Sequence, residues 1–291
     1  IFIIWSKING YDYLYKSGRH IIGNDLKVEG LLGYDRLMRI LIQKPLANPE
    51  VNLFIREGLT YDQTKELFLE NNLILSDRFD KTAKEFTEDY DFIKQIPIRE
   101  KRLEGYLFPE TYRFTIPFDL NEEGSEEEIL TILLRQFNKI FKPEYYERAE
   151  ALGMTVDEII TVASIVEKEA MDPEEREIIA GVFYNRLKSK TEYLNYLQSC
   201  STVQYALLER DGKVKETLLH EDLEIDHPYN TYKIKGLPPG PICNPGLASI
   251  IAALYPAEHD YYYFVAKGDG THAFARTDRE HQNNIRKYQN Q

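Results

Sequence analysis

Between residues 156 and 170 the apolar positions recur with helical spacing. Ile159, Ile160, Val162, Ala163, Ile165, Val166 and Ala170 cover well over half of a helical wheel, which predicts a largely buried helix. Thr155 and Glu158 have the spacing of a capping box, and Asp172-Pro173 stops the pattern. The same period predicts helices over 35–43, with Leu37, Ile40 and Leu41 inward, and from Thr60 to about Asn72, with Leu67 and Phe68 inward. Others are expected from Ser76 or Asp77, after the acidic run Glu122–Glu128, over Glu144–Leu152 and over Glu174–Leu187. Ser201 or Thr202, Asn244-Pro245-Gly246, and Thr277 or Asp278 each read as the start of a helix. Strands are predicted over 51–56, and over 261–266 and 272–276 about the hairpin turn Gly268-Asp269-Gly270. Residues 1–8 fit a helix or a strand, and Tyr13–Ile22 reads as a weak strand interrupted at Ser17-Gly18.

Mixed short elements in this order predict an α+β fold in two parts. A small N-terminal domain over residues 1–95 carries no catalytic cluster, Pro97–Lys101 reads as a linker, and a larger domain follows from 103 to 291. Two stretches in the larger part are neither amphipathic helix nor regular strand. Glu104–Tyr112 concentrates aromatics, carboxylates, a Gly and a Pro, and reads as an ordered loop or a groove wall. Tyr229–Pro241 is a long loop stiffened by Pro238, Pro239 and Pro241, the kind of rigid loop on which sites are built.

The acidic run Glu122–Glu128 is most simply a solvated helix start. Glu167, Lys168 and Glu169 are different, because they arrive while the apolar pattern is still running. Lys168 falls opposite the apolar face; Glu167 and Glu169 fall on its two flanks. A carboxylate beside buried Val and Ile loses hydration and is expected to hold a proton near neutral pH, as a general acid must. The plainer alternative is that both are solvated or pair with Arg176 or Lys168. The wheel does not choose between the two glutamates.

Composition narrows the chemistry. A net charge of −12 and a pI near 5.1 argue against a nucleic-acid partner. The 21 tyrosines would suit a sugar-binding groove, although tyrosine is also an ordinary half-buried residue. Cys200 and Cys243 make neither a disulfide framework nor a zinc site, and their pairing is open. His220-Glu221-Asp222-Leu223 lacks the second histidine of a zinc helix, no phosphate loop or serine elbow occurs, and neither a metal nor a cofactor is expected. His272, just past the hairpin turn, could touch substrate, but a lone histidine there is more often structural. No run approaches the roughly 20 apolar residues of a membrane span.

ASIVEKEA, VFYNRL, LQS..TVQYAL, YNTYKIKGLPPGPICNPG, YYYFVAKGDGTHAF and EGYLFPETY together resemble the YceG-like (MltG-type) endolytic murein transglycosylases over residues 104–288. The N-terminal part matches more loosely: VNLFIREGLTYDQTKELFLENN resembles that family's LysM-like subdomain, with Gly18 at a family turn. The resemblance implies cleavage of the MurNAc-β-1,4-GlcNAc bond within peptidoglycan glycan strands, leaving 1,6-anhydroMurNAc ends. It implies Glu169 as the catalytic acid, and a single-pass anchor, absent from this chain, holding the protein at the extracytoplasmic face of the membrane. Peptidoglycan synthases are the protein partners it suggests. Gln198, Ser199, Tyr229, Asn230 and Thr231 are the candidate substrate-binding residues, with Glu104 and Tyr112 on the opposite wall. One departure stands out: Cys200 occupies the place of the family's usual Asp, where it is expected to shape the loop. A muramidase would need a second carboxylate, with Glu104 or Glu167 as candidates. A glycan-binding scaffold would need none.

Overall fold

The structure is a computed structural model of the chain, and it describes all residues except 1, 12, 17–19, 21, 23–29, 122–123, 216 and 290–291. The expected strand interruption at Ser17-Gly18 and the Gly18 turn lie outside the described residues. Two compact units are present: Ile1–Val51 with Thr115–Phe118, and Asn52–Phe114 with Asp119–Gln291.

The first unit holds helices α1 (Phe2–Ile8) and α2 (Gly30–Leu41), which pack together. Trp5 stacks on Tyr11, and the Tyr15 hydroxyl lies 2.6 Å from the sulfur of the buried Met38. Of the first eight residues, Phe2–Ile8 therefore resolve as helix. Strands β1 (Glu50–Phe54) and β2 (Thr111–Thr115) form a two-stranded sheet.

The second unit begins with α3 (Tyr61–Glu70), α4 (Ser76–Glu85) and α5 (Asp91–Gln95). Thr60 and Gln63 close a capping box on α3. Helix α6 (Ser125–Ile140) packs on α4. Its acidic start is not wholly solvated: Glu126 is buried because Arg78 grips both its oxygens and the Leu75 amide donates to it at 2.9 Å. Those bonds hold Glu126 ionised despite burial.

Helix α7 (Pro143–Leu152) ends at Gly153 and leads into α8 (Val156–Glu169), the predicted central helix. Thr155 and Glu158 form the expected capping box, with bonds of 3.2 and 2.8 Å. Ile159 to Val166 are all buried, under α9 (Arg176–Leu187), α10 (Cys200–Asp211) and α11 (Leu247–Leu254). Strands β3 (Tyr263–Ala266) and β4 (His272–Ala275) pair antiparallel, Phe264 opposite Phe274, and α12 (Asp278–Tyr288) packs on both. Helix α12 is capped by Thr277, one of the two residues the sequence offers, and begins at the other, Asp278.

The two irregular stretches of the sequence dock on one another. The side-chain oxygen of buried Asn244 accepts from the amides of Gly105 and Leu107 at 3.1 and 3.0 Å. Gly105 has φ +91°, and a Cβ there would stand 2.6 Å from Pro241 and 2.9 Å from Ile160. Only glycine allows that approach. The Pro-rich loop in turn reaches α8, where the Ile242 amide donates to Ser164 at 3.0 Å.

Candidate active site

Helix α8 carries two glutamates on its last turn, and the flank of each meets a different element. On one flank, Glu167 faces the start of α11. Its Oε2 accepts from the Gly246 amide at 3.1 Å and from the Ser249 hydroxyl at 2.7 Å. Gly246 is the N-cap of α11, so Glu167 supplies the side-chain cap that glycine lacks and places negative charge at the positive end of the helix.

On the other flank, Glu169 faces the start of α10 and is half-buried. The Ser201 hydroxyl and amide donate to its Oε1 at 2.9 and 3.3 Å, and the Ser199 hydroxyl donates to the same oxygen. The two serine hydroxyls lie 2.7 Å apart. No protein group bonds Oε2 among the described residues. One oxygen is thus fixed, and the other is free to exchange a proton with a ligand.

A cleft of about 410 Å³ opens beside Glu169. Gln198, Ser199 and Cys200 form one side, and Tyr262, Tyr263 and His272 come from the hairpin. Glu169 is the one carboxylate among the described residues that line it. Its walls combine aromatic faces with hydroxyl, amide and imidazole groups, which suits a sugar.

The segment 198–199 is held from behind. Gln198 donates its backbone amide to the Thr231 carbonyl at 3.1 Å, and the Ser199 amide donates to the Thr231 hydroxyl at 3.0 Å. Gln198 adopts φ +52°, a left-handed conformation that side-chain-bearing residues rarely take. Strain of this kind persists only where surrounding bonds over-determine it. Here Arg186 supplies one of them, donating to the Gln198 side-chain oxygen at 2.6 Å.

Arg186 is a cleft residue that the sequence reading does not single out. It is buried and also lines the cleft. Its guanidinium donates to the Tyr196 carbonyl at 2.9 and 2.6 Å and to the Tyr262 carbonyl at 2.9 Å, and it lies 5.3 Å from the Tyr263 ring centre. One side chain therefore ties the strained loop to the hairpin strand. The signal was its place in α9: Arg186 continues the i, i+3, i+7 stripe of Ile179 and Val182, both buried.

The structure separates the expected substrate-binding residues. Gln198 and Ser199 line the cleft. Thr231 and Asn230 are wholly buried and bind protein: Thr231 supports segment 198–199, and Asn230 donates to the Leu223 and Ile225 carbonyls at 2.9 and 2.7 Å. Tyr229 is half-buried against Tyr205, ring centres 4.8 Å apart. Its neighbour Tyr232 is the one that reaches the cleft. Glu104 and Tyr112 are not brought to the cleft. Glu104 is buried and accepts from the Tyr61 amide at 2.9 and 3.0 Å and from the Tyr205 hydroxyl at 3.2 Å. Burial pushes its pKa up to about 8. Tyr112 is buried and donates to the Phe108 carbonyl at 2.7 Å.

Cys200 opens α10 at the exposed rim, with its sulfur 3.3 Å from the Tyr232 hydroxyl. The N-cap of α10 is Ser199 rather than Ser201 or Thr202, because the Ser201 hydroxyl is turned to Glu169. Cys243 is buried, and both cysteines are free.

Comparison with known proteins places the chain in a family. The YceG-like family model matches residues 1–287. An endolytic murein transglycosylase of Bacillus subtilis is 44% identical over 186 residues, covering 64% of this chain and 48% of its own length. One from Streptococcus pneumoniae is 32% identical across 100% of this chain and 53% of its own length. The chain thus spans about half the length of the curated relatives it matches. A crystal structure of a YceG-like protein from Listeria monocytogenes superposes with a TM-score of 0.66 at 32% identity, covering 97% of this chain and 89% of that one.

Proposed function

Because the chain belongs to the YceG-like family, we propose that it is an endolytic lytic transglycosylase acting on peptidoglycan, with Glu169 as its catalytic acid. The observation that carries the reading is the solitary carboxylate: among the described residues, Glu169 alone brings a carboxylate to the cleft. Glycosidases that use water or a covalent intermediate position two. The candidates for a second are engaged elsewhere, Glu167 in capping α11 and Glu104 in the core. That arrangement favours a reaction in which one group suffices.

In this reaction Glu169 passes a proton to the glycosidic oxygen as the bond to the anomeric carbon breaks. The sugar's N-acetyl group supports the positive charge that builds there. Glu169, now ionised, accepts the proton of the same sugar's 6-hydroxyl, whose oxygen closes onto the anomeric carbon. The proton returns to Glu169, and no water is consumed. The intramolecular nucleophile gives a high effective concentration. Ser199 and Ser201 hold Oε1, so Oε2 is the oxygen that carries the proton in both directions. Gln198 and the Ser199 segment hold acetamido and hydroxyl groups, and the tyrosines of the hairpin offer stacking faces.

The wider reading belongs to the same proposal. Residues 1–95 serve as a LysM-like part that positions glycan, and residues 103–291 as the catalytic part. The substrate puts the work outside the cytoplasm, with an anchor beyond this chain and peptidoglycan synthases as partners. No helix among the described residues is long and apolar enough to cross a membrane. The test is a time course of chain length on purified glycan strands. Endolytic action shortens the mean length early, while products are still long. Strands that are bound and never shortened would favour the scaffold instead.

A further inference from the structure

Glu175 closes the 3-10 turn Pro173–Glu175 that follows α8, and among the described residues its carboxylate bonds a single residue, His272. It accepts the backbone amide of His272 on both oxygens, at 3.0 and 3.1 Å, and the ring Nδ1 of the same histidine at 2.6 Å. An ionised carboxylate only accepts, so Nδ1 donates, and in the neutral ring Nε2 is left as the acceptor. No protein group bonds Nε2 among the described residues. Phe264 lies edge-on to the ring at 5.3 Å, and His272 ends the hairpin opposite Ala266. The same histidine lines the cleft beside Glu169. Pinning the hairpin to the turn accounts for the amide and for Nδ1. It gives no role to the second ring nitrogen of a cleft residue.

We propose that His272 is a substrate-contacting residue whose Nε2 accepts a hydrogen bond from a hydroxyl of the sugar beside Glu169, with Glu175 as its positioning residue. The proposal rests on the glycan reading of the cleft. It puts a second polar anchor on the hairpin wall, across from Gln198 and Ser199. Two fixed points hold a sugar ring in orientation where one leaves it free to turn.

Two variants and one spectrum test it with purified glycan strands. His272→Asn puts an amide nitrogen near the place of Nδ1, keeps a donor for Glu175, and leaves nothing where Nε2 stood. It is expected to melt within a few degrees of the parent and to lose about tenfold or more in kcat/KM, with KM raised, the cost of one substrate hydrogen bond. Glu175→Gln leaves one acceptor oxygen to serve both the His272 amide and Nδ1, so the ring is held less firmly in its orientation and tautomer. It should lose a similar factor with the hairpin still in place. In nitrogen-15 histidine spectra of the Glu169→Gln protein, added strands should shift the His272 Nε2 signal. A folded His272→Asn protein that keeps parental kcat/KM overturns the proposal. Bound strands that leave the Nε2 signal unmoved overturn it too, and this holds even if neither variant folds. Strands that neither bind nor react would overturn the glycan reading along with it.

Discussion

The two flanks of the last turn of α8 carry the same side chain to opposite ends. Glu167 meets a helix whose N-cap is Gly246, and its Oε2 is taken by a backbone amide and the Ser249 hydroxyl. Glu169 meets a helix whose N-cap is Ser199, and it keeps one oxygen outside the protein's bonds beside a cleft. The residues differ by two positions and by nothing in their chemistry. What divides them is the element that lands on each face: one completes a structure with the carboxylate, and the other completes the carboxylate for a ligand.

The largest effect expected from that contrast comes from exchanging each acid for its amide. Glu169→Gln should lower strand cleavage by roughly 100-fold or more with the melting curve retained. Glu167→Gln should leave cleavage within a few-fold, since an amide oxygen still accepts from Gly246 and Ser249. Cleavage rates and melting curves on the same preparations decide it, and the reverse ranking would break the comparison.

Glu104 sharpens the contrast with a carboxylate that is wholly buried, at the start of α3 and away from the cleft. Its ordinary pKa of 4.5 is raised to about 8 by burial, so the folded protein keeps this proton where the unfolded chain has lost it. Its contribution to stability is fully present below the unfolded pKa and is lost as pH rises through about 8. Between pH 5 and 7 this should cost on the order of 2 kcal/mol. Denaturant midpoints across that range should fall in the parent and fall less in Glu104→Gln. Equal slopes would mean that Glu104 is not the group responsible.

Arg186 tests whether the Glu169 flank depends on its support. Arg186→Lys keeps the charge but cannot serve the carbonyls of Tyr196 and Tyr262 and the Gln198 side chain together. Cleavage is expected to fall about tenfold through the loss of Gln198 geometry. Kinetics on glycan strands check this, and unchanged kinetics would detach Gln198 from the site. The smallest effect is assigned to Cys200. A thiol is largely neutral at pH 7, and Cys200 bonds Tyr232 rather than Glu169. Cys200→Asp should therefore cleave within a few-fold of the parent; a gain of orders of magnitude would show that an acid belongs there.

Much of the fold was readable because its signals are local. The capping boxes at Thr60, Thr155 and Thr277 each sit within one turn, and all three helices begin where those residues place them. The site was readable only in part, because its bonds span the chain. Ser201 looked like a cap until Glu169, 32 residues away, drew its hydroxyl. Glu104 and Tyr112 looked like a wall because nothing nearby in sequence announces Asn244, 139 residues beyond Gly105, which folds their loop inward. Asn230 and Thr231 were placed near the right segment but one layer too shallow, since their partners are carbonyls and hydroxyls that no periodicity reveals. The wheel could not separate Glu167 from Glu169, because the distinction lies in α10 and α11 rather than in α8.

The central claim is that one carboxylate does the work of acid and base without water. Digestion of purified strands by the parent protein in oxygen-18 water, followed by mass spectrometry of the new ends, tests it most directly. Intramolecular closure gives muramic ends that are lighter by one water than a hydrolysis product and free of the label. New ends that are reducing and carry oxygen-18 would contradict it, and would require an activated water and a second group to activate it.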